Sequence, residues 1–174
     1  MIEKNCAAEI PDIPCRIKVG GNMLRILICD DDALFLENMR TRVRSILNQN
    51  GIDATVFCSK DAADIPAQYI ENCDIAFLDI DFADKKYSGI DLAKRIRKLQ
   101  SNAVIIFVTN YIEYAPEGYE IQAFRYVLKK DIEKKLPLYL QQAIEKNQVV
   151  RQSIQVSISG ETFTLELAEI VYFE

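Results

Sequence analysis

The chain has 174 residues, 49% apolar and 27% charged, which suits one domain of roughly 150 residues plus part of another, with an ordinary buried core. Acids outnumber bases 26 to 21, a net charge of −5, which argues against this chain gripping nucleic acid by itself, since affinity there comes from Lys and Arg on phosphates. There is no histidine, so Ser-His-Asp and Cys-His nucleophiles, histidine metal ligands and a phosphohistidine relay within the chain are all excluded.

Residues 1–22 hold Pro11, Pro14 and a Gly-Gly pair with little periodicity, and read as a loose extension. It is either a natural arm or a ribosome-binding sequence translated ahead of a start at Met23. It lacks the long apolar core of a signal peptide. From Arg25 short apolar runs alternate with amphipathic stretches. The strand candidates are Arg25–Cys29, Ala54–Cys58, Ile75–Asp79, Ala103–Val108 and Phe124–Leu128, each rich in Val, Ile, Phe or Leu, as strands buried on both faces are. Between them, Leu36, Met39, Val43, Ile46 and Leu47 step at helical spacing and stop at Gly51. Asp61–Glu71 is a weaker helix pattern containing Pro66. Leu92, Ala93, Ile96 and Leu99 form a third stripe, and Tyr111–Gly118 a poor fourth. Ile132, Leu136, Leu140, Ala143 and Ile144 form the last, where Pro137 is tolerable only near the first turn.

Five such βα units predict an α/β fold, a doubly wound five-stranded parallel sheet, over residues 23–147. The segment 148–174 then switches to strand alternation. Ile154, Val156 and Ile158, a Ser159-Gly160-Glu161 turn, and Phe163, Leu165 and Leu167 predict a β-hairpin opening a second, β-rich domain. The longest apolar run, Ala103–Val108, falls far short of the ~20 residues that span a bilayer. Five cysteines without a C-x-x-C pair fit a reduced, cytoplasmic protein that does not enter the membrane.

Sites in such sheets form beyond the carboxyl ends of the strands. Those ends carry Asp30-Asp31-Asp32, Asp79, Thr109 and Lys129-Lys130. Carboxylates packed this closely raise each other's pKa unless a cation sits among them, and oxygen ligands of this kind suit Mg²⁺. A divalent ion would also let one carboxylate attack a phosphoryl group. Each residue has a plainer reading. An Asp at a strand end is commonly a turn or cap residue. Asp32 serves equally well as a helix N-cap, as does Thr109, while Lys129 could be solvated and Tyr126 plain core. Lys85, Lys86 and Tyr87 read as a solvated loop.

The segments RILICDDD, CDIAFLDID, the helix start Gly-Ile-Asp-Leu-Ala, IIFVTN and FRYVLKK, in this order and spacing, resemble the receiver domain of two-component response regulators. The resemblance implies that Asp79 is phosphorylated by a partner sensor histidine kinase. Mg²⁺ would be bound by Asp31 directly, by Asp30 through water or by orienting a neighbour, by Asp79 and by the main-chain carbonyl of Asp81. Thr109 would turn its hydroxyl onto the phosphoryl oxygens, Lys129 would pair with them, and Tyr126 would report the state to the outer face. Such a chain is no enzyme beyond accepting the phosphoryl group and slowly hydrolysing it. Two departures stand out. The loop from Asp79 to Gly89 is longer than usual and lacks a Met-Pro or Leu-Pro pair. Lys130 replaces the proline that normally follows the lysine. A cis bond without proline costs about 2.5–4 kcal/mol, so a trans Lys129–Lys130 peptide is expected. The segment Lys130–Ile132 is then a loop that leaves Lys129 less firmly placed.

The hairpin, with Ile170, Tyr172 and Glu174 in an I-x-Y-x-E ending, resembles the opening of a LytTR-type DNA-binding domain. A receiver carrying Glu113-Tyr114-Ala115 and AFRYVLK is typical of that class. The implied protein is a transcriptional regulator that meets DNA only through a part beyond Glu174 and can pair with itself on phosphorylation. A rival is a haloacid-dehalogenase-like phosphatase using Asp79 and Asp81. That motif belongs on the first strand of its sheet, and the rival leaves Asp30 and Asp31 without a role.

Overall fold

The computed structural model describes residues 23–82, 87–100, 102–111, 114–150, 153–158 and 161–166. The five apolar runs form β1 (Leu24–Cys29), β2 (Ala54–Ser59), β3 (Ile75–Leu78), β4 (Val104–Thr109) and β5 (Arg125–Leu128), all parallel in the order β2-β1-β3-β4-β5. Every residue of β3 and β4 is buried, which is why these strands read as unbroken apolar runs. Alternation then divides the core. Ile26, Ile28, Phe77, Ile106 and Val108 pack on one face against α1 (Ala33–Gln49) and α5 (Lys129–Val150). Leu27, Ala76, Leu78, Ile105 and Phe107 pack on the other with α3 (Gly89–Leu99) and Ile70 of α2 (Ala67–Glu71). A fourth short helix, α4 (Ala115–Glu120), precedes β5.

The helix boundaries show where local chemistry overrides periodicity. Helix α1 ends at Gln49, and Gly51 takes φ +65°, the left-handed turn that glycine adopts without penalty. Helix α2 is much shorter than Asp61–Glu71. The Ser59 hydroxyl accepts from Asp61 N and donates to Asp61 O, and Asp61 Oδ1 accepts from Ala63 N, so side chains take the groups a helix would use. Pro66 then stands at the N-cap position of a helix that starts only at Ala67. Helix α4 starts later than the Tyr111–Gly118 pattern suggests, with Pro116 in its first turn.

The largest correction concerns α5. No loop follows β5: Lys130, Asp131 and Ile132, expected to be free to re-route, are the first turn of a helix that begins at Lys129 itself. Without a proline after Lys129 nothing forbids helical geometry at the strand end. Consequently Pro137 lies inside the helix, not in its first turn. The Lys129–Lys130 peptide is trans, as expected.

Strands β6 (Ser153–Ile158) and β7 (Glu161–Glu166) pair antiparallel in the register Ser153↔Glu166 to Ile158↔Glu161. The expected turn at Ser159-Gly160, the Ile170, Tyr172 and Glu174 ending, residues 1–22, Lys85, Lys86 and Glu113 lie outside the described residues. Among the described residues no helix is long and apolar enough to cross a membrane.

One residue with no motif to mark it ties the opposite rim of the sheet. Asp74, 3% exposed, accepts the Arg25 N–H on Oδ2 at 2.7 Å, with the Arg25 Nε at 3.7 Å. Its own N–H donates to Arg25 O at 2.9 Å, and its carbonyl accepts from Val104 N at 2.8 Å. Asp74 thus fastens the starts of β1, β3 and β4. Asp74→Ala leaves the Arg25 amide without its acceptor, and should lower unfolding stability by about 1–3 kcal/mol in denaturant titration; a change below about 0.5 kcal/mol would show that water replaces the carboxylate.

Candidate functional site

The carboxyl ends of β1, β3, β4 and β5 meet on one rim, and the sheet brings together residues far apart in sequence. Asp30 directly follows β1, its N–H bonded to Ser59 O at 3.1 Å, and is 1% exposed. Asp79 directly follows β3, its N–H on Cys29 O at 2.9 Å, and is 5% exposed. Lys129, arriving from β5, places Nζ 2.7 Å from Asp30 Oδ2 and 2.7 Å from Asp79 Oδ2. It also donates to Asp30 Oδ1 at 2.9 Å. The expectation of a loosely placed lysine therefore fails. The helical start of α5 fixes its backbone, and two carboxylates hold its head.

Asp31, half-buried, completes an acidic group in which carboxylate oxygens of Asp30, Asp31 and Asp79 lie within 4.8 Å of one another. Three carboxylates against one ammonium leave a net negative pocket. Burial, reinforced by the charge of Asp79, raises the Asp30 carboxyl to about 6 even though the Lys129 ammonium pulls it down. Burial alone would lower the Lys129 ammonium, but hydrogen bonds and charges from Asp30 and Asp79 outweigh it and raise the group, which stays protonated. The adjacent Cys29 thiol is pushed far up, first by burial and then by the charge of Asp30, so it is inert as a nucleophile.

Asp32 stands just outside. Its Oδ1 accepts from Leu34 N at 2.9 Å and Phe35 N at 3.1 Å, which makes it the N-cap of α1 and settles the alternative left open by the sequence. Its own N–H donates to Asp30 Oδ1 at 3.0 Å, so the cap and the pocket share a hydrogen bond. Asp81, exposed, lies two residues beyond Asp79. Thr109, fully buried at the end of β4, accepts on Oγ1 from Tyr111 N at a long 3.4 Å and does not cap α4. Tyr126 is half-buried on β5. Its ring lies 6.2 Å from that of Phe107, and its hydroxyl donates to the Tyr111 carbonyl. The backbone of Tyr111 therefore touches both Thr109, through its N–H, and Tyr126, through its carbonyl.

Gly89 has a role that its place in the helix-start motif does not announce. A Cβ built there would lie 1.6 Å from the Asp79 carbonyl oxygen and 2.7 Å from its carbon. The first turn of α3 packs directly on the backbone that carries Asp79, with Gly89 N donating to Ile80 O at 2.9 Å. Ser88 N-caps that helix in a capping box with Asp91. The sequence signal is a glycine at a first helical position, where side-chain-bearing residues are ordinarily favoured.

A family model for the response regulator receiver domain matches residues 26–141. Among curated proteins, the chain is 31% identical to a response regulatory protein of Yersinia pestis over 160 residues, covering 86% of this chain and 65% of that one. It is 27% identical to the sensory transduction protein LytT of Bacillus subtilis, covering 80% and 56%, and 30% identical to the transcriptional regulatory protein LytR of Staphylococcus aureus, covering 71% and 46%. The chain thus spans between about half and two-thirds of the length of the curated relatives it matches. Among solved structures it resembles the response regulator TrrA of Thermotoga maritima in complex with Mg²⁺ and beryllofluoride, with TM-score 0.54 and 26% identity over 70% of this chain and 99% of that one. The beryllofluoride-activated DrrB receiver domain shares the fold at TM-score 0.58 and 24% identity, covering 71% and 99%.

The raised Asp30 carboxyl has a consequence for stability. A group whose folded pKa exceeds its unfolded one favours folding while protonated, and that contribution is lost as pH rises through the folded value, here about 6. Asn cannot ionise, so Asp30→Asn should match the parent near pH 4 and exceed it by about 1–3 kcal/mol at pH 8, measured by denaturant titration in a chelator. Equal stability at pH 8 would show that Lys129 offsets the burial of the carboxylate in full.

Proposed function

We propose, for a chain that belongs to the response regulator receiver family, that Asp79 accepts a phosphoryl group from a sensor histidine kinase and that the phosphorylated state controls transcription. The observation that carries this reading is the Lys129 ammonium held 2.7 Å from both Asp30 and Asp79 inside a buried acidic pocket. A structural ion pair needs one carboxylate, whereas a phosphoacceptor needs a lysine already in reach of the oxygen that will carry the phosphoryl group.

The donor set fits Mg²⁺. Asp30, Asp31 and Asp79 supply hard oxygen atoms close enough to share one ion, two of these residues are buried, and the pocket keeps an excess of negative charge. Asp30, Asp31 and Asp79, with the main-chain carbonyl of Asp81, would hold it. When bound, the ion neutralises the phosphoryl oxygens so that an anionic carboxylate can approach them. The chain's own residues then divide the work. A carboxylate oxygen of Asp79 attacks phosphorus as the bond from phosphorus to the donor's histidine nitrogen breaks. Lys129 exchanges its contact with the Asp79 carboxylate for the incoming phosphoryl oxygens without travelling far. Thr109, whose hydroxyl is engaged among the described residues through a long 3.4 Å bond from Tyr111 N, can turn toward the phosphoryl group.

That turn reaches the surface through Tyr111. Its N–H is on Thr109 and its carbonyl on the Tyr126 hydroxyl, so a hydroxyl that leaves one side unbalances the other. Tyr126 and α4 then carry the signal to a second copy or to the rest of the protein. The output is read as DNA binding through a LytTR-type domain that opens with β6 and β7. The likeness to LytT and LytR and the strand alternation from Ile154 onward support this. A cytoplasmic location follows from that role.

The test uses phosphoramidate with Mg²⁺ and intact-protein mass. The wild-type chain should gain a single phosphoryl group, labile to hydroxylamine as an acyl phosphate is, and Asp79→Asn should gain none. Uptake of phosphate by Asp79→Asn with unchanged stoichiometry would sink the assignment.

A further inference from the structure

The pocket has a wall that the receiver resemblance does not assign. The Lys129 Nζ lies 4.7 Å from the centroid of the Phe35 ring, within the range of a cation–π contact, and the Lys129 side chain is only 12% exposed. Phe35 reaches this place through a short chain of bonds. Asp32 caps α1 and holds the Phe35 N–H, and the Asp32 N–H in turn rests on Asp30. The acidic loop that supplies the carboxylates therefore also sets the ring over the ammonium.

We propose that Phe35 is a positioning residue for phosphoryl transfer, acting through Lys129; the inference rests on the functional reading above. Lysine is a compact charge on a flexible four-carbon stem, so although the start of α5 fixes its backbone, its head is aimed by the groups around it. Two of those neighbours, Asp30 and Asp79, are claimed by chemistry. Asp30 is one of the oxygens that would hold the metal, and Asp79 loses its charge as an acceptor when it becomes an acyl phosphate. The Phe35 face attracts the ammonium through its quadrupole, carries no formal charge, and is consumed by neither event. It is the neighbour that keeps Lys129 in the pocket as its carboxylate partners are taken.

The substitution Phe35→Leu keeps an apolar side chain but removes the ring, and Phe35→Tyr restores the ring. With phosphoramidate and saturating Mg²⁺, a P–O bond to Asp79 forms as the P–N bond breaks, and the nitrogen of the zwitterionic donor leaves as ammonia. The rate of uptake should fall about 3- to 10-fold in Phe35→Leu and return to within about 2-fold of wild type in Phe35→Tyr. The same pair measured in a Lys129→Met background separates positioning from structure. If Phe35 acts through Lys129, the Phe35→Leu loss disappears there; a merely structural role leaves it the same in both backgrounds. Equal rates for wild type and Phe35→Leu, or an equal loss in both backgrounds, overturn the inference while leaving Asp79 as acceptor. No uptake by the wild-type chain overturns the functional reading and this inference with it. A Phe35→Leu protein that melts early is replaced by Phe35→Met, for which the same outcomes hold.

Discussion

The two 2.7 Å contacts of the Lys129 ammonium with Asp30 and Asp79 are the interaction on which the C-terminal rim of the sheet depends. Two carboxylates that bury to 1% and 5% exposure side by side repel each other and lose hydration, and a shared ammonium offsets part of both penalties. Lys129 stands 99 residues beyond Asp30 in sequence, so the pair exists only when β1, β3, β4 and β5 are assembled in register. The offset is incomplete, as the raised Asp30 carboxyl shows. A pocket left with excess negative charge is one in which a cation is stabilised.

Much of this was legible in the residues. Strands buried on both faces announce themselves as unbroken apolar runs, and the ends of all five lie within a residue of the expected bounds. Asp30, Asp31, Asp79, Thr109 and Lys129 sit where those strands stop, and a parallel sheet gathers its strand ends on one rim whatever the loops do. Legibility ended where short-range hydrogen bonds compete with periodicity. Ser59 and Asp61 bind backbone groups and shorten α2. The absence of a proline after Lys129 suggests freedom for a loop, whereas it permits a helix from the first residue. Lys129 is held for the same reason, because a helical start constrains the backbone that a loop would release.

Contacts between residues remote in sequence were legible least. Asp74 looks like any acid between a helix and a strand, yet its carboxylate, amide and carbonyl join three strands. Gly89 reads as an ordinary residue of a helix start until the Asp79 carbonyl is found where its Cβ would be. Phe35 belongs to the α1 pattern as a partly buried packing residue, and its second face, toward Lys129, appears only with the fold. In each case the residue fits a local role that conceals the distant one.

We propose that the Lys129-bridged pocket receives a phosphoryl group on Asp79. A crystal structure of the chain with Mg²⁺ and beryllofluoride tests it most directly. Beryllium should be bonded to an Asp79 carboxylate oxygen, with Lys129 and the Thr109 hydroxyl on its fluorine atoms and the metal shared by Asp30, Asp31 and Asp79. A beryllofluoride adduct on Asp81, or a pocket in which Lys129 still bridges Asp30 and Asp79 with no adduct at saturating concentrations, would contradict it.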